Sequence, residues 1–175
     1  CMDISAHNPR LVIFDHPLIA HKLATIRDHR TGHRIFRAAL TQIAGLMVYE
    51  VTRTLPTETI EVITPVTTTT CEIICGTITI VKLPVDIDSG PVILVDPMLA
   101  TGGSASAALD MLEQAGAKDI RMICLVAAPE GIARLQKDHP NVTVYAAALD
   151  QQLNEKGYIV PGLGDAGDRM YGTVN

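Results

Sequence analysis

Val92-Ile93-Leu94-Val95-Asp96-Pro97-Met98-Leu99-Ala100-Thr101-Gly102-Gly103-Ser104 lays out a strand, a Gly-rich turn and the start of a helix. Four apolar residues, two of them valines, read as a buried parallel strand; Asp96 and Pro97 end it, and a Thr-Gly-Gly-Ser turn opens a helix at Ser104. The two glycines let backbone N–H groups converge on an anion, the helix start adds its positive dipole end, and Thr101 and Ser104 supply hydroxyls. A phosphate suits that cradle. Asp96 stands at the carboxyl end of the strand, where open α/β sheets place their ligands, and its carboxylate can accept hydrogen bonds from ribose hydroxyls. An ordinary Gly-rich turn would explain the glycines but not the acid and hydroxyls around them. Neither standard nucleotide motif is present: no Lys follows the second Gly as a P-loop requires, and there is no G-x-G-x-x-G.

The composition of the whole chain bounds its class. With 175 residues, 47% hydrophobic and 19% charged, the chain can bury one good core, and its length fits a single domain. Aromatic residues make up 3% with no Trp, so the core is aliphatic and base-stacking platforms are poorly supplied. The net charge of −5 argues the same way: phosphate affinity comes from a local cradle rather than a basic face, which excludes nucleic acid as the expected partner. No apolar run reaches membrane-spanning length and the first residues lack a signal peptide's apolar core, so the expectation is a cytoplasmic protein with no membrane partner. Among the cysteines, the Cys71/Cys75 spacing is a weak zinc signal without a second ligand pair, and buried reduced thiols without disulfides are expected. Five of the six histidines (His7, His16, His21, His29 and His33) fall early in the chain. No acid completes a zinc-protease pattern around His29 and His33, so surface or interface histidines and no protein-held metal are expected.

Taken in order, Leu11-Val12-Ile13-Phe14 reads as a short strand. Asp15 reads as an N-cap with Pro17 in the first turn of a helix carrying Leu18, Ile19, Leu23 and Ile26. After Gly32, a helix from about His33 to Thr52 places Phe36, Leu40, Ile43 and Met47 on one face. From Leu55 onward the texture turns to β, with threonine runs suited to exposed strands and turns, and Ile78 to Val81 reads as a second buried parallel strand. After Ser104, a helix to Ala115 ends at Gly116 and turns Ala105, Ala108, Leu109 and Leu112 to the sheet. A strand at 122–127, a helix opened by Pro129-Glu130-Gly131 and a strand at 142–145 follow, and the alternation means a parallel α/β sheet flanked by helices. The tail at 154–168 holds four glycines and a proline, which reads as a shaped loop docked on the body.

Three sets of residues carry a resemblance to a known family. Val95 to Ser104 resembles the 5-phosphoribosyl-1-diphosphate (PRPP) loop of phosphoribosyltransferases, in the wording of uracil phosphoribosyltransferases. His16-Pro17-Leu18, Phe36-Arg37 and Tyr49-Glu50 resemble their N-terminal arm, and the tail from Asn154 to Asp168 resembles their C-terminal hood. The resemblance implies a phosphoribosyltransferase-like, Rossmann-like domain over 1–175, with an arm at 1–54, a core at 55–149 and a hood at 150–175. It implies transfer of 5-phosphoribosyl from PRPP to uracil, giving UMP and pyrophosphate in pyrimidine salvage. Asp96, Pro97, Met98, Leu99, Ala100, Thr101, Gly102, Gly103 and Ser104 would bind PRPP, with Asp165 as the catalytic residue at its reactive end. Ile159, Gly164, Asp165 and Ala166 would read uracil through their backbone, excluding cytosine, because a site built to hydrogen-bond rejects analogues that lack the partner. Mg²⁺ would arrive with PRPP. A homo-oligomer and a GTP effector belong to the same resemblance.

The chain departs from that family at one place. A parallel strand ending at Val81 needs a crossover before the next parallel strand, yet Lys82-Leu83-Pro84 follows at once and the interval to Val92 is too short for a helix. In the family, an arginine loop, a helix, another strand and a long hairpin intervene. Two accounts fit the break: an internal stretch is omitted, or the protein lacks it. The alternative functions are then a PRPP- or UMP-binding domain impaired in catalysis for want of its pyrophosphate loop, and a purine or orotate enzyme of the same fold.

Overall fold

The computed structural model describes residues 10–74 and 87–173. The chain enters through β1 (Leu11–Ile13) and two helices, α1 (Pro17–Arg27) and α2 (His33–Val51). Pro17 holds the first position of α1, where a missing N–H costs nothing. The cap, however, is His16 rather than the expected Asp15: its Nδ1 accepts from the Leu18 amide at 3.1 Å. An imidazole nitrogen supplies the acceptor that a carboxylate was expected to give. Helix α2 runs as its spacing predicts, with Phe36, Ile43 and Met47 fully buried and Leu40 half-buried. Burial of each such side chain stabilises the fold by roughly 1.5–3 kcal/mol.

An antiparallel ribbon follows, β2 (Thr57–Ile63) paired with β3 (Thr68–Ile74), and every residue of β3 is exposed. The expected strand at Ile78 to Val81, and the junction after it, lie outside the described residues. The chain resumes toward β4 (Val92–Val95), whose continuation β5 (Met98–Leu99) is separated from it by Asp96 and Pro97. Then come α3 (Gly103–Gln114), β6 (Ile120–Ala127), α4 (Pro129–Asp138) and β7 (Thr143–Leu149). The tail folds as a small hairpin, β8 (Gln152–Leu153) with β9 (Ile159–Val160), and ends in α5 (Ala166–Tyr171). The loop reading of 154–168 is corrected only at its end, where α5 takes in residues 166–168: Asp165 accepts from the Asp168 amide at 2.9 Å and so caps a turn of helix.

The central sheet has the order β1-β7-β6-β4, with β5 also on β6, and every pairing is parallel. One correction concerns β4. It pairs only with β6 among the described residues and is half-buried, with Val95 64% exposed, rather than a fully buried strand. An apolar run reads alike in a central strand and in an edge strand, so composition could not separate the two. Strand β6 is the spine: Met122 and Cys124 point into the core shared with α3 and α4, and Ile123 and Leu125 into the core shared with α1 and α2. Helix α3 begins at Gly103 rather than Ser104 and buries Ser106 where Ala108 was expected. His139 makes this possible, since its Nε2 lies 3.0 Å from Ser106 Oγ and satisfies the buried hydroxyl.

Candidate functional site

A parallel sheet delivers its loops to one edge. The carboxyl ends of β4, β6 and β7 lead respectively into residues 96–102, the start of α4 and the tail, and this is the edge at which open α/β sheets bind ligands.

The first loop is shaped by the neighbouring strand β6. The Pro97 carbonyl accepts from the amides of Leu125 and Val126 at 3.1 and 3.4 Å, so the chain kinks at Asp96-Pro97 before resuming as β5. The Asp96 amide still donates to the Ile123 carbonyl of β6 at 3.0 Å, and the Asp96 Oδ1 accepts from the Met98 amide at 3.1 Å. Gly102, with φ +76°, caps α3 in the left-handed region that favours glycine, and Thr101 Oγ1 faces the Gly103 amide at 3.4 Å. Asp96 and residues 98–105 line a pocket of about 90 Å³. Of the PRPP residues expected from the sequence, Asp96 and Met98 to Ser104 lie on it; Pro97, whose carbonyl is spent on β6, and Asp165 do not. The Asp96 charge bears on the core beneath it. Burial first, and this carboxylate second, push the Cys124 thiol well above its ordinary range.

The second cluster is the tail. Gly162 and Gly164 have φ of +59° and +77°, which bends the chain between β9 and α5. Ile159 and Ala166 bury their side chains, leaving backbone as what they can present, whereas Gly164 and Asp165 are exposed. Ala166 opens α5, so its N–H belongs to the first turn, which has no acceptor inside a helix.

The start of α4 joins the two clusters. A Cβ on Gly131 would overlap the Ala100 carbonyl oxygen and lie 3.0 Å from Leu99 Cγ, so only glycine lets the helix rest against the loop. Its neighbour Glu130 accepts from the Leu153 amide of the tail at 3.0 Å. Arg134, one turn on, lies against the same loop: a Cβ on Gly103 would stand 3.5 Å from its Nη1. The sequence reading missed Glu130, Gly131 and Arg134. A glycine just inside a helix was the available signal, since such a residue usually marks a close backbone approach. A further cluster, Asp110, Glu113 and His139, brings its ligand atoms within 4.8 Å of one another on the far side of α3. There the His139 Nδ1 faces Glu113 at 3.2 Å while its Nε2 serves Ser106, so the ring joins helices. Cys71 and Cys124 are free thiols, the first exposed and the second buried.

Comparison with known proteins places this arrangement. A family model for uracil phosphoribosyltransferase matches residues 12–82 and 75–173. The chain belongs to the uracil phosphoribosyltransferase family. Proteins of that name from Bacillus pumilus and Bacillus velezensis are each 46% identical over 206 aligned positions, covering 94% of this chain and 99% of theirs. A solved structure of a protein from Aquifex aeolicus shares the fold with a TM-score of 0.83 and 28% identity, covering 92% of this chain and 97% of that one. The 206 aligned positions exceed the 175 residues present, so uracil phosphoribosyltransferase relatives hold an internal stretch with no counterpart here. The two matched pieces meet at 75–82, where the sequence reading found its discontinuity.

Proposed function

We propose that this chain transfers the 5-phosphoribosyl group of PRPP to uracil, releasing UMP and pyrophosphate. The observation that supports the reading is the start of α4, where Gly131 packs on the loop at Leu99 and Ala100 and Glu130 accepts from Leu153, the strand partner of Ile159, in a member of the uracil phosphoribosyltransferase family. The matched relatives carry the name of the enzyme, and nothing in them favours a binding domain without turnover.

In this reading residues 100–104 hold the 5-phosphate through converging amides and the start of α3, and Asp96 accepts from the ribose hydroxyls. The backbone of Ile159 and of 164–166 reads the edge of uracil, whose alternating donors and acceptors exclude cytosine. Displacement at the anomeric carbon proceeds through a transition state of oxocarbenium character, and the Asp165 carboxylate, which is exposed, would serve the reactive end of PRPP. No covalent intermediate is required.

Mg²⁺ fits as a companion of PRPP: Asp96 offers one hard carboxylate rather than an all-protein cage, and the ion supplies charge neutralisation on the pyrophosphate. The apolar side chains exposed on the ribbon (Ile63, Val66, Ile73, Ile74) and on α2 (Ile35, Val48, Tyr49) support a homo-oligomer. Family membership is the support for a GTP effector. It also supports a cytoplasmic location, together with the absence of any helix, among the described residues, long and apolar enough to cross a membrane. The arm, core and hood at 1–54, 55–149 and 150–175 act in this reading as one domain. Calorimetric titration with UMP and with CMP tests the site: UMP binding with CMP rejected is expected, and equal affinity for both would refute the base-reading tail.

A further inference from the structure

The loop that reads the base is not held by its own residues. Asp150, whose side chain is 4% exposed, ends β7 and accepts from Arg27 in a two-pronged pair, Nη1 to Oδ2 at 2.9 Å and Nη2 to Oδ1 at 2.5 Å. The same Oδ2 accepts from the Gly162 amide at 2.8 Å, and Arg27 Nη1 also donates to the Gly162 carbonyl at 2.8 Å. Both backbone groups of Gly162 are therefore fixed by one ion pair, 123 residues apart in the chain. Gly162 in turn sits against the Ile159 carbonyl so closely that a Cβ there would overlap it. One residue on, the Leu163 carbonyl accepts from Arg169 at 3.0 Å. Arg169 also donates to the carbonyls of Ile26 and Asp28, which flank Arg27, and lies 4.6 Å over the Phe36 ring.

We infer that Arg27 and Asp150 are positioning residues that set the backbone of 159–164 for base recognition, so that affinity for the base is governed from the last turn of α1. Neither touches the reacting atoms. The pair has the features of a device for geometry: a planar guanidinium matches a carboxylate in two directions at once, and a lysine in its place keeps the charge but not the fork. The carboxylate is buried, so removing the arginine leaves a charge without its partner, frees the Gly162 carbonyl and leaves the Gly162 amide on a carboxylate that nothing else orients. The inference rests on the proposed reading of uracil by the tail.

The test is steady-state kinetics of the full chain with PRPP and uracil, comparing Arg27→Met, Arg27→Lys and Asp150→Asn with the native protein. Arg27→Met retains the apolar stem and is expected to raise KM for uracil at least tenfold while KM for PRPP stays within twofold. Arg27→Lys is expected to fall between Arg27→Met and the native protein. A purely structural role would lower the amount of active enzyme, and with it kcat, leaving KM for uracil unchanged. That result, or an equal rise in both KM values, would overturn the inference. Where Arg27→Met does not fold, Asp150→Asn is judged by the same split, because Asn still accepts from the Gly162 amide but cannot complete the ion pair. Native protein that turns over no uracil and binds no UMP would instead refute the proposed function, so the two failures are distinct.

Discussion

Gly131→Ala probes the joint between α4 and the loop at 96–104, the proposed phosphate cradle. In an unconstrained helix interior the change would stabilise by about 1 kcal/mol, because glycine is the poorer helix former. Here the new Cβ falls 3.0 Å from both Leu99 Cγ and the Leu99 carbonyl oxygen and closer still to the Ala100 carbonyl oxygen, inside the limit that real Cβ contacts respect. The loop or the helix must yield by more than half an ångström. Overpacking of this kind costs about 1–3 kcal/mol, so the net effect is a destabilisation of about 0–2 kcal/mol and a fall in Tm of at most about 8 °C. Function is the more sensitive readout. A misplacement near 1 Å at a positioned ligand can cost about 100-fold, so KM for PRPP is expected to rise by about 10- to 100-fold. The variant's kcat/KM for PRPP and its melting curve, measured side by side, decide the matter. A higher Tm with KM for PRPP within twofold of the native value would refute the claim that α4 supports the loop.

Asp165→Asn keeps a side-chain oxygen to cap α5, so thermal melting should show a Tm within about 2 °C of native, while kcat falls at least about 100-fold; Asp165→Ala adds a capping loss of about 1 kcal/mol. Arg134→Ala removes an exposed cation beside Gly103, and KM for PRPP should rise about 2- to 5-fold with KM for uracil unchanged, a difference that shrinks at high salt. Burial raises the Cys124 thiol pKa in the folded chain, so folding favours the protonated form. Its contribution is complete below the ordinary thiol value and is lost as pH climbs beyond it, by up to about 1.4 kcal/mol per pH unit. Urea unfolding at pH 8 and pH 10 should show this decline in the native protein and a smaller one in Cys124→Ala.

What could be read without the structure was local in character. The loop at 96–104 announces itself because its glycines, hydroxyls and acid are neighbours, and α2 does so because one apolar face repeats over five turns. Where the physics is non-local, sequence had no purchase. Nothing near Arg27 points to Asp150, and Ser106 looks like a surface residue until His139 arrives from the end of α4 to satisfy it. The cap of α1 went to His16 because two adjacent residues could each supply an acceptor, and only the backbone path selects one. In the tail, glycine content argued against a helix, and Asp165 started one anyway once its carboxylate had an amide to hold. The discontinuity after Val81 was legible for a topological reason, since a parallel sheet demands a crossover, and the relatives bear it out with an internal stretch that finds no counterpart.

Formation of UMP from PRPP and uracil is read out by product analysis. The chain is incubated with PRPP, Mg²⁺ and an equimolar mixture of uracil, cytosine, orotate and hypoxanthine, and the nucleotides are separated by mass spectrometry while pyrophosphate is counted independently. UMP as the sole nucleotide, with pyrophosphate released in equal amount, is the predicted result. A purine or orotidine nucleotide, or PRPP left intact beside uracil, would contradict it.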